Sequence, residues 1–211
     1  MAQLFQVHPD NPQARLLKQA VALLTQGGVL AVPTDSSYAL VCHLDDKAAI
    51  DRLRQIRGVD EKHHLTLLCR DLRELSLYAK VDNRQFRLLK AATPGAYTFI
   101  LEATKEVPRR VAHPQRKTIG LRVPDHTALL ALLEIHGAPL LATTLIPQDE
   151  TDPLNDAEVI RYRYEHQVAA VIDAGACSLL ATTVVDLTPM GSGGEPEVLR
   201  LGAGKCELLG L

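Results

Sequence analysis

Ala31-Val32-Pro33-Thr34-Asp35-Ser36-Ser37-Tyr38-Ala39-Leu40 is the stretch on which the reading of this chain turns. An apolar run from Val29 to Val32 stops at Pro33, three hydroxyls and one acid follow, and a second apolar run starts at Tyr38. A buried strand that ends in small polar groups is how α/β proteins set a ligand site at a strand's carboxyl end. Pro, Asp and Ser are also ordinary turn residues, so the segment needs support from the rest of the chain.

Three further segments supply it. Pro94-Gly95-Ala96-Tyr97-Thr98, Gly120-Leu121-Arg122-Val123-Pro124 and Thr182-Thr183-Val184-Val185-Asp186 follow in order. With Pro33–Leu40 they resemble the ordered signatures of the YrdC-like family: PT(D/E)-x-x-Y-G-L, PG-P-x-T, (V/G)-x-R-x-P and S-T-(I/V)-(I/V)-D. The resemblance runs from about residue 12 to 202, and its wording is nearest to the YciO branch, through YALVC, Cys69–Leu72 and Lys105–Arg110. It implies one YrdC-like domain over 1–211, an α/β twisted mixed sheet flanked by helices with an open basic concave cavity. The extra C-terminal domain of the longer members is not expected.

The pattern of the residues agrees with that class. Apolar residues recur at helical spacing from Leu16 to Leu24 and stop at Gly27-Gly28; Asn11 followed by Pro12 reads as that helix's start. Asp45/Asp46, Asp71, Asp82 and Asp125 read as further helix starts, and 155–166 as a last helix. Strands are expected at 4–7, 29–33, 38–43, 65–69, 96–103, 118–123, 140–144, 169–173, 183–187 and 197–201. The alternation is too irregular for a doubly wound sheet and indicates a mixed one.

Composition narrows the class. With 211 residues, 46% hydrophobic and 23% charged, the chain suits one globular domain. No apolar run reaches membrane-spanning length, and the N-terminus lacks a signal-peptide pattern, so a cytoplasmic protein with no membrane partner is expected. The four cysteines are unclustered, which gives no zinc pattern; Cys42 and Cys69 sit in apolar stretches and read as reduced, buried thiols. The net charge of −2 hides an asymmetry: residues 51–126 hold 16 Lys and Arg against 9 Asp and Glu, and the remainder 7 against 16. A basic half points to an anionic partner, a nucleotide or a nucleic acid. Arg52, Arg54, Arg84, Arg87 and Lys90 read as solvated helix faces. Lys105, Arg109, Arg110, Arg116 and Lys117 lie in a segment broken by Pro108 and Pro114, and read as a candidate surface for tRNA or double-stranded RNA. Aromatic residues are only 4% with no Trp, which disfavours base stacking on single strands.

The family's enzymes make threonylcarbamoyl-AMP from threonine, bicarbonate and ATP with Mg²⁺, releasing pyrophosphate, for tRNA modification. The resemblance therefore implies ATP as a substrate, a small amino acid as its partner and no tightly bound cofactor. It places Thr34, Tyr38 and Arg122 at the threonine pocket, where a guanidinium suits a carboxylate. It places Arg57, Thr98, Thr144, Thr182, Thr183 and Arg200 toward the nucleotide. No protein nucleophile is needed, so no catalytic residue is assigned; positioning and electrostatics carry the step.

Two motifs depart from the family. Its K-x-R-P reads Arg57-Gly58-Val59-Asp60 here, and its S-x-N reads Thr144-Leu145-Ile146. Both losses fall on the ATP half, and each lost bond to a charged group is worth roughly 1.5–3 kcal/mol. Lys62, His63, His64 and Lys117 are candidates to compensate. A double-stranded RNA or tRNA module without synthase activity is the alternative reading.

Overall fold

The structure, a computed structural model, describes residues 1–209 apart from Pro114 and Arg116. The described residues form ten strands and six α-helices, interspersed along the chain. The strands are β1 (Gln3–Gln6), β2 (Leu30–Val32), β3 (Ala39–His43), β4 (Thr66–Leu68), β5 (Tyr97–Glu102), β6 (Thr118–Arg122), β7 (Leu140–Thr144), β8 (Ala170–Asp173), β9 (Thr183–Asp186) and β10 (Glu197–Arg200). The helices are α1 (Ala14–Thr25), α2 (Lys47–Arg57), α3 (Leu72–Tyr78), α4 (Asn83–Ala92), α5 (Thr127–His136) and α6 (Ala157–Tyr164). All strands join one sheet in the order β1-β8-β2-β3-β7-β4-β6-β5-β9-β10. Parallel pairs (β1/β8, β2/β8, β4/β6, β5/β9) mix with antiparallel ones, as expected for a mixed sheet.

Period-two alternation splits the core between the two sheet faces. Leu30 and Val32, with Leu140 and Ile172, pack with Leu17, Ala20, Leu24 of α1 and Leu129, Leu132, Leu133 of α5. Ala31, Leu67, Leu121, Leu141 and Val171 pack on the other face with Ile50 and Leu53 of α2, Leu75 of α3, Leu89 of α4 and Ile160 of α6. The second layer reaches the far strands through Phe99 and Val185, whereas the layer of α1 and α5 extends along its face only as far as Leu68 of β4. The uncovered half of that face is where the cleft lies.

Helix starts follow local hydrogen bonding. Asp46, Asp71 and Asp82 cap α2, α3 and α4 with their carboxylates, and Asp82 forms a reciprocal capping box with Gln85. Two expected starts are displaced. Asn11 does not cap α1: its N–H and that of Asp10 go to the His8 ring, and the helix begins after Gln13, which gives no side-chain cap. Asp125 does not cap α5; the ring of His126 accepts the Leu129 N–H instead. Arg54 is not on a solvated face. It is buried, and its guanidinium donates to the carbonyls of Asp60 and His63, tying down the loop after α2. That loop starts at Gly58, in the left-handed region with φ 70°, where other residues are strained. Cys42 and Cys69 are buried and unpaired, and burial pushes the Cys42 thiol up to about 12.

Candidate functional site

The cleft has a volume of about 390 Å³. Its floor is the uncovered sheet face: Thr66 and Leu68 of β4, Gly120 and Arg122 of β6, Thr98 and Ile100 of β5, and Val184 of β9. The register sets these side by side, with Thr66 opposite Gly120, Leu68 opposite Arg122, and Thr98 opposite Val184. Gly120 keeps the floor open: a Cβ there would sit 3.0 Å from the Thr66 hydroxyl and 3.3 Å from the Thr98 methyl. One wall is the loop after α2, with Arg57, Lys62, His63 and His64; the other is Thr182 and Arg200. Among the described residues the lining holds four side chains of fixed positive charge, two histidines and no carboxylate. Such a surface, part apolar and low in dielectric, focuses positive potential into the cavity.

Arg122 is buried at the cleft floor and pairs with Asp35, while its Nη2 also reaches the Thr34 hydroxyl at 3.3 Å. Burial pulls the guanidinium's pKa down, and Asp35 opposes that shift. One oxygen of Asp35 and the Nε of Arg122 are buried without a hydrogen-bond partner. Asp35 was therefore the missing partner of the expected carboxylate-binding arginine. The two sit 87 residues apart in the chain, and the strongest signal was the apolar run around Arg122, which made a lone guanidinium untenable.

Thr34 and Tyr38 meet Arg122's neighbourhood differently from each other. Thr34 is buried beneath the lining; its hydroxyl donates to the Ser37 carbonyl at 2.7 Å and accepts the Ser36 N–H at 3.0 Å, so it shapes the turn that presents Ser36 and Ser37 to the cleft. Tyr38 lines the cleft, but its fully buried phenol donates to the Ile172 carbonyl at 3.1 Å. Burial pushes that phenol's pKa far up, so it stays a neutral donor. Tyr38→Phe strands the Ile172 carbonyl, and thermal or denaturant unfolding should show a loss of about 1–3 kcal/mol. Unchanged stability would show that the tether carries nothing.

Of the residues expected to face a nucleotide, Arg57, Thr98, Thr144, Thr182 and Arg200 line the cleft. The Nε of Arg57 is buried with no partner, a donor left for an acceptor from outside the chain. Burial lowers the pKa of both Arg57 and Arg200. Thr98 and Thr182 share a hydroxyl–hydroxyl bond of 2.9 Å across β5 and the start of β9, and Arg200 donates to the Thr182 carbonyl at 3.0 and 3.1 Å. Thr183 turns away. It is fully buried, donates to the Gly204 carbonyl at 2.6 Å and accepts the Gly202 N–H at 2.9 Å, which pins the tail carrying Arg200. Thr183→Val breaks both bonds at constant shape and should cost about 1–3 kcal/mol of stability, read as a lower midpoint in urea.

Ser36, Ser37, Thr66 and Thr143 line the cleft without having been assigned a role from sequence; the serines lie inside the opening motif, and Thr143 precedes Thr144. Of the candidates to compensate, Lys62, His63 and His64 line the cleft and Lys117 does not. Of the two departures from the family's motifs, Ile146 lines the cleft and Val59 does not. In the basic loop between β5 and β6, Lys105, Arg109, Arg110 and Lys117 are exposed, and Arg116 lies outside the described residues. Arg110 donates to the Asp45 carbonyl. The loop meets the cleft wall where the His113 ring stacks on His64, with centroids 4.8 Å apart. Among the described residues no cluster of three or more His, Cys, Asp or Glu could hold a metal, and no helix is long and apolar enough to cross a membrane.

A ten-stranded mixed sheet with helices on both faces, and one half-face left open and lined by cations, defines an α/β protein of the YrdC-like class. The chain belongs to the Sua5/YciO/YrdC family, whose model, described as telomere recombination, matches residues 22–202. YciO of Escherichia coli is 50% identical over 97% of both chains, and its crystal structure superposes with a TM-score of 0.93 over 99% of this chain and 100% of that one. The threonylcarbamoyl-AMP synthase of Mus musculus is 30% identical over 84% of this chain and 65% of its own. The structure of P. abyssi Sua5 complexed with L-threonine has a TM-score of 0.84 at 23% identity, covering 94% of this chain and 57% of that one, a likeness of fold.

Proposed function

We propose that the cleft binds ATP with a small amino acid, threonine, and follows the chemistry of threonylcarbamoyl-AMP synthase for tRNA modification: bicarbonate and the amino group form a carbamate with loss of water, and the carbamate oxygen displaces pyrophosphate from the α-phosphate to give the carbamoyl adenylate. The observation that carries the reading is the lining itself: Arg57, Lys62, Arg122 and Arg200 with no carboxylate among the described lining residues, and a buried Arg57 Nε awaiting an acceptor. The relationship to synthases at 30% identity supports the same reading. Mg²⁺ would enter as part of the triphosphate substrate, whose oxygens suit its hard-ligand preference. The chain's own part is then to bind and orient. Arg57, Lys62 and Arg200 would offset phosphate charge, and Arg122, already oriented by Asp35, would offer its free Nε edge to a carboxylate. Thr98, Thr144 and Thr182 would hold the sugar and base edge.

The test is pyrophosphate release from ATP with Mg²⁺ and bicarbonate, with and without threonine, beside a Val59→Arg/Ile146→Asn variant. Threonine-dependent release by the wild-type chain is the expected result. Release confined to the double variant would mean that the site binds but has lost the step. No release from either, with no ATP binding, would overturn the reading.

One observation favours a second reading. Lys105, Arg109, Arg110 and Lys117 are exposed on the loop whose His113 stacks on His64 of the cleft wall, and would offer a surface for the phosphates of tRNA or double-stranded RNA, recognised by shape. Such binding falls steeply with added salt.

A further inference from the structure

His63 combines a ring open to the cleft with a setting that disfavours its charged form. The ring faces the cleft, and its Nε2 lies 3.4 Å from the Thr143 hydroxyl on β7, a bond whose direction depends on the tautomer. Around it are Arg57 and Arg54 from α2, and Asp60, Lys62 and His64 from its own loop; His113 of the β5–β6 loop reaches it through the stack on His64. The one carboxylate in that set, Asp60, is turned to the backbone, accepting the N–H groups of Lys62 and His63. The His63 carbonyl is itself held by Arg54. A positive charge on this ring therefore faces the guanidiniums of Arg57 and Arg54, opposed only in part by Asp60.

We propose that His63 is the proton-responsive member of this anion site: it is neutral before the anion arrives, and takes up a proton when a polyphosphate seats between Arg57, Lys62 and the His63 ring. The inference rests on the reading of the cleft as a phosphate site and adds a coupling to it. The physical argument is linkage. Desolvation first, then Arg57, Arg54 and His64, hold the imidazole below the usual histidine range, with only Asp60 pulling the other way. A bound phosphate reverses the local field, supplies an acceptor for the ring N–H and raises the same pKa. The sign follows. The free protein binds fewer protons than the complex, so affinity for the anion rises as pH falls toward the free-state pKa and weakens as pH climbs through the bound-state pKa. The loop after α2 thus adds a third cation to Arg57 and Lys62, but one that is present only when there is a phosphate to hold.

Inorganic pyrophosphate titrated into the full chain calorimetrically, in buffers of differing ionisation enthalpy, reads the proton directly. Wild type should take up a fraction of a proton per site near neutral pH, and His63→Asn should lose that uptake. Between about pH 6 and 8, the wild-type dissociation constant should rise more steeply than the variant's, by up to about tenfold per pH unit. Pyrophosphate's own protonation is common to both proteins and cancels in that difference. As a measurement free of any variant, the His63 ring carbon shifts in wild type should titrate at higher pH with pyrophosphate than without. Pyrophosphate binding with equal slopes and an unmoved ring titration would overturn the coupling and leave the phosphate site standing. No pyrophosphate binding would overturn both. Proton-coupled pyrophosphate binding without any affinity for ATP would keep the coupling and remove the nucleotide.

Discussion

Arg122→Met is expected to be the most destabilising single change in the cleft, at about 3–5 kcal/mol, because it leaves Asp35 as an uncompensated buried charge. Both side chains are nearly inaccessible, 7% and 11% exposed, so water cannot substitute for the lost partner. At roughly 2–4 °C per kcal/mol for a domain of this size, the melting temperature should fall by about 6–20 °C. Asp35→Asn/Arg122→Met should recover most of that loss, since removing both charges removes the desolvation cost as well as the attraction. Additive single effects in this double-mutant cycle, with no recovery, would show that the two groups are not coupled. Arg122→Lys keeps the charge but offers a point donor in place of the planar fork. It should retain more stability than the methionine while losing the paired reach to Thr34 and Asp35.

That pair also marks where sequence ceased to be informative. Whatever is written in local hydrogen bonding was legible: Asp46, Asp71 and Asp82 cap the helices their positions imply, and every expected strand forms. The two displaced helix starts both involve a histidine: the His8 ring binds the N–H groups of Asp10 and Asn11 ahead of α1, and the His126 ring caps α5, a role more commonly taken by Asp, Asn, Ser or Thr. The strand order was not legible, because β7 lies between β3 and β4, and β8 between β1 and β2, through long connections that no local pattern encodes. For the same reason the motifs mark segments that reach the cleft without telling which side chains within them line it. Strand alternation decides which of two adjacent threonines meets the cleft: Thr182 lines it and Thr183 ties down the tail. In the opening motif the turn faces Ser36 and Ser37 outward and keeps Thr34 beneath. Arg54 reads as solvated because its helix is amphipathic, but it anchors a loop whose position depends on the sheet beyond it.

Removing the two arginines at the ends of the cleft, Arg57→Gln with Arg200→Gln, should weaken ATP binding by about 10²- to 10⁴-fold, each bond to a charged group being worth roughly 1.5–3 kcal/mol. The two act as separate sites. Arg57 closes α2, whose following loop reaches β7 through His63 and Thr143, and Arg200 ends β10, five strands further along the sheet order. Five inter-strand spacings span on the order of 20 Å of backbone, which two arginine side chains shorten from either end. Groups that far apart contribute additively, provided one ligand is long enough to touch both. A nucleoside triphosphate is, and a single phosphate is not, so pyrophosphate should respond chiefly to one of the two substitutions and ATP to both. Calorimetric titration of each ligand against the single and double variants separates these cases. Equal, additive losses for ATP place it along the cleft; a loss confined to one arginine confines it to one wall. Lys105→Ala/Arg109→Ala on the outer loop serves as the counterpart, since neither residue lines the cleft. It should leave ATP affinity unchanged, and should flatten the salt dependence of double-stranded RNA binding if that surface carries it. A chain whose ATP affinity follows the outer loop and ignores Arg57 and Arg200 would place the anion outside the cleft, and the open half of the sheet would need another occupant.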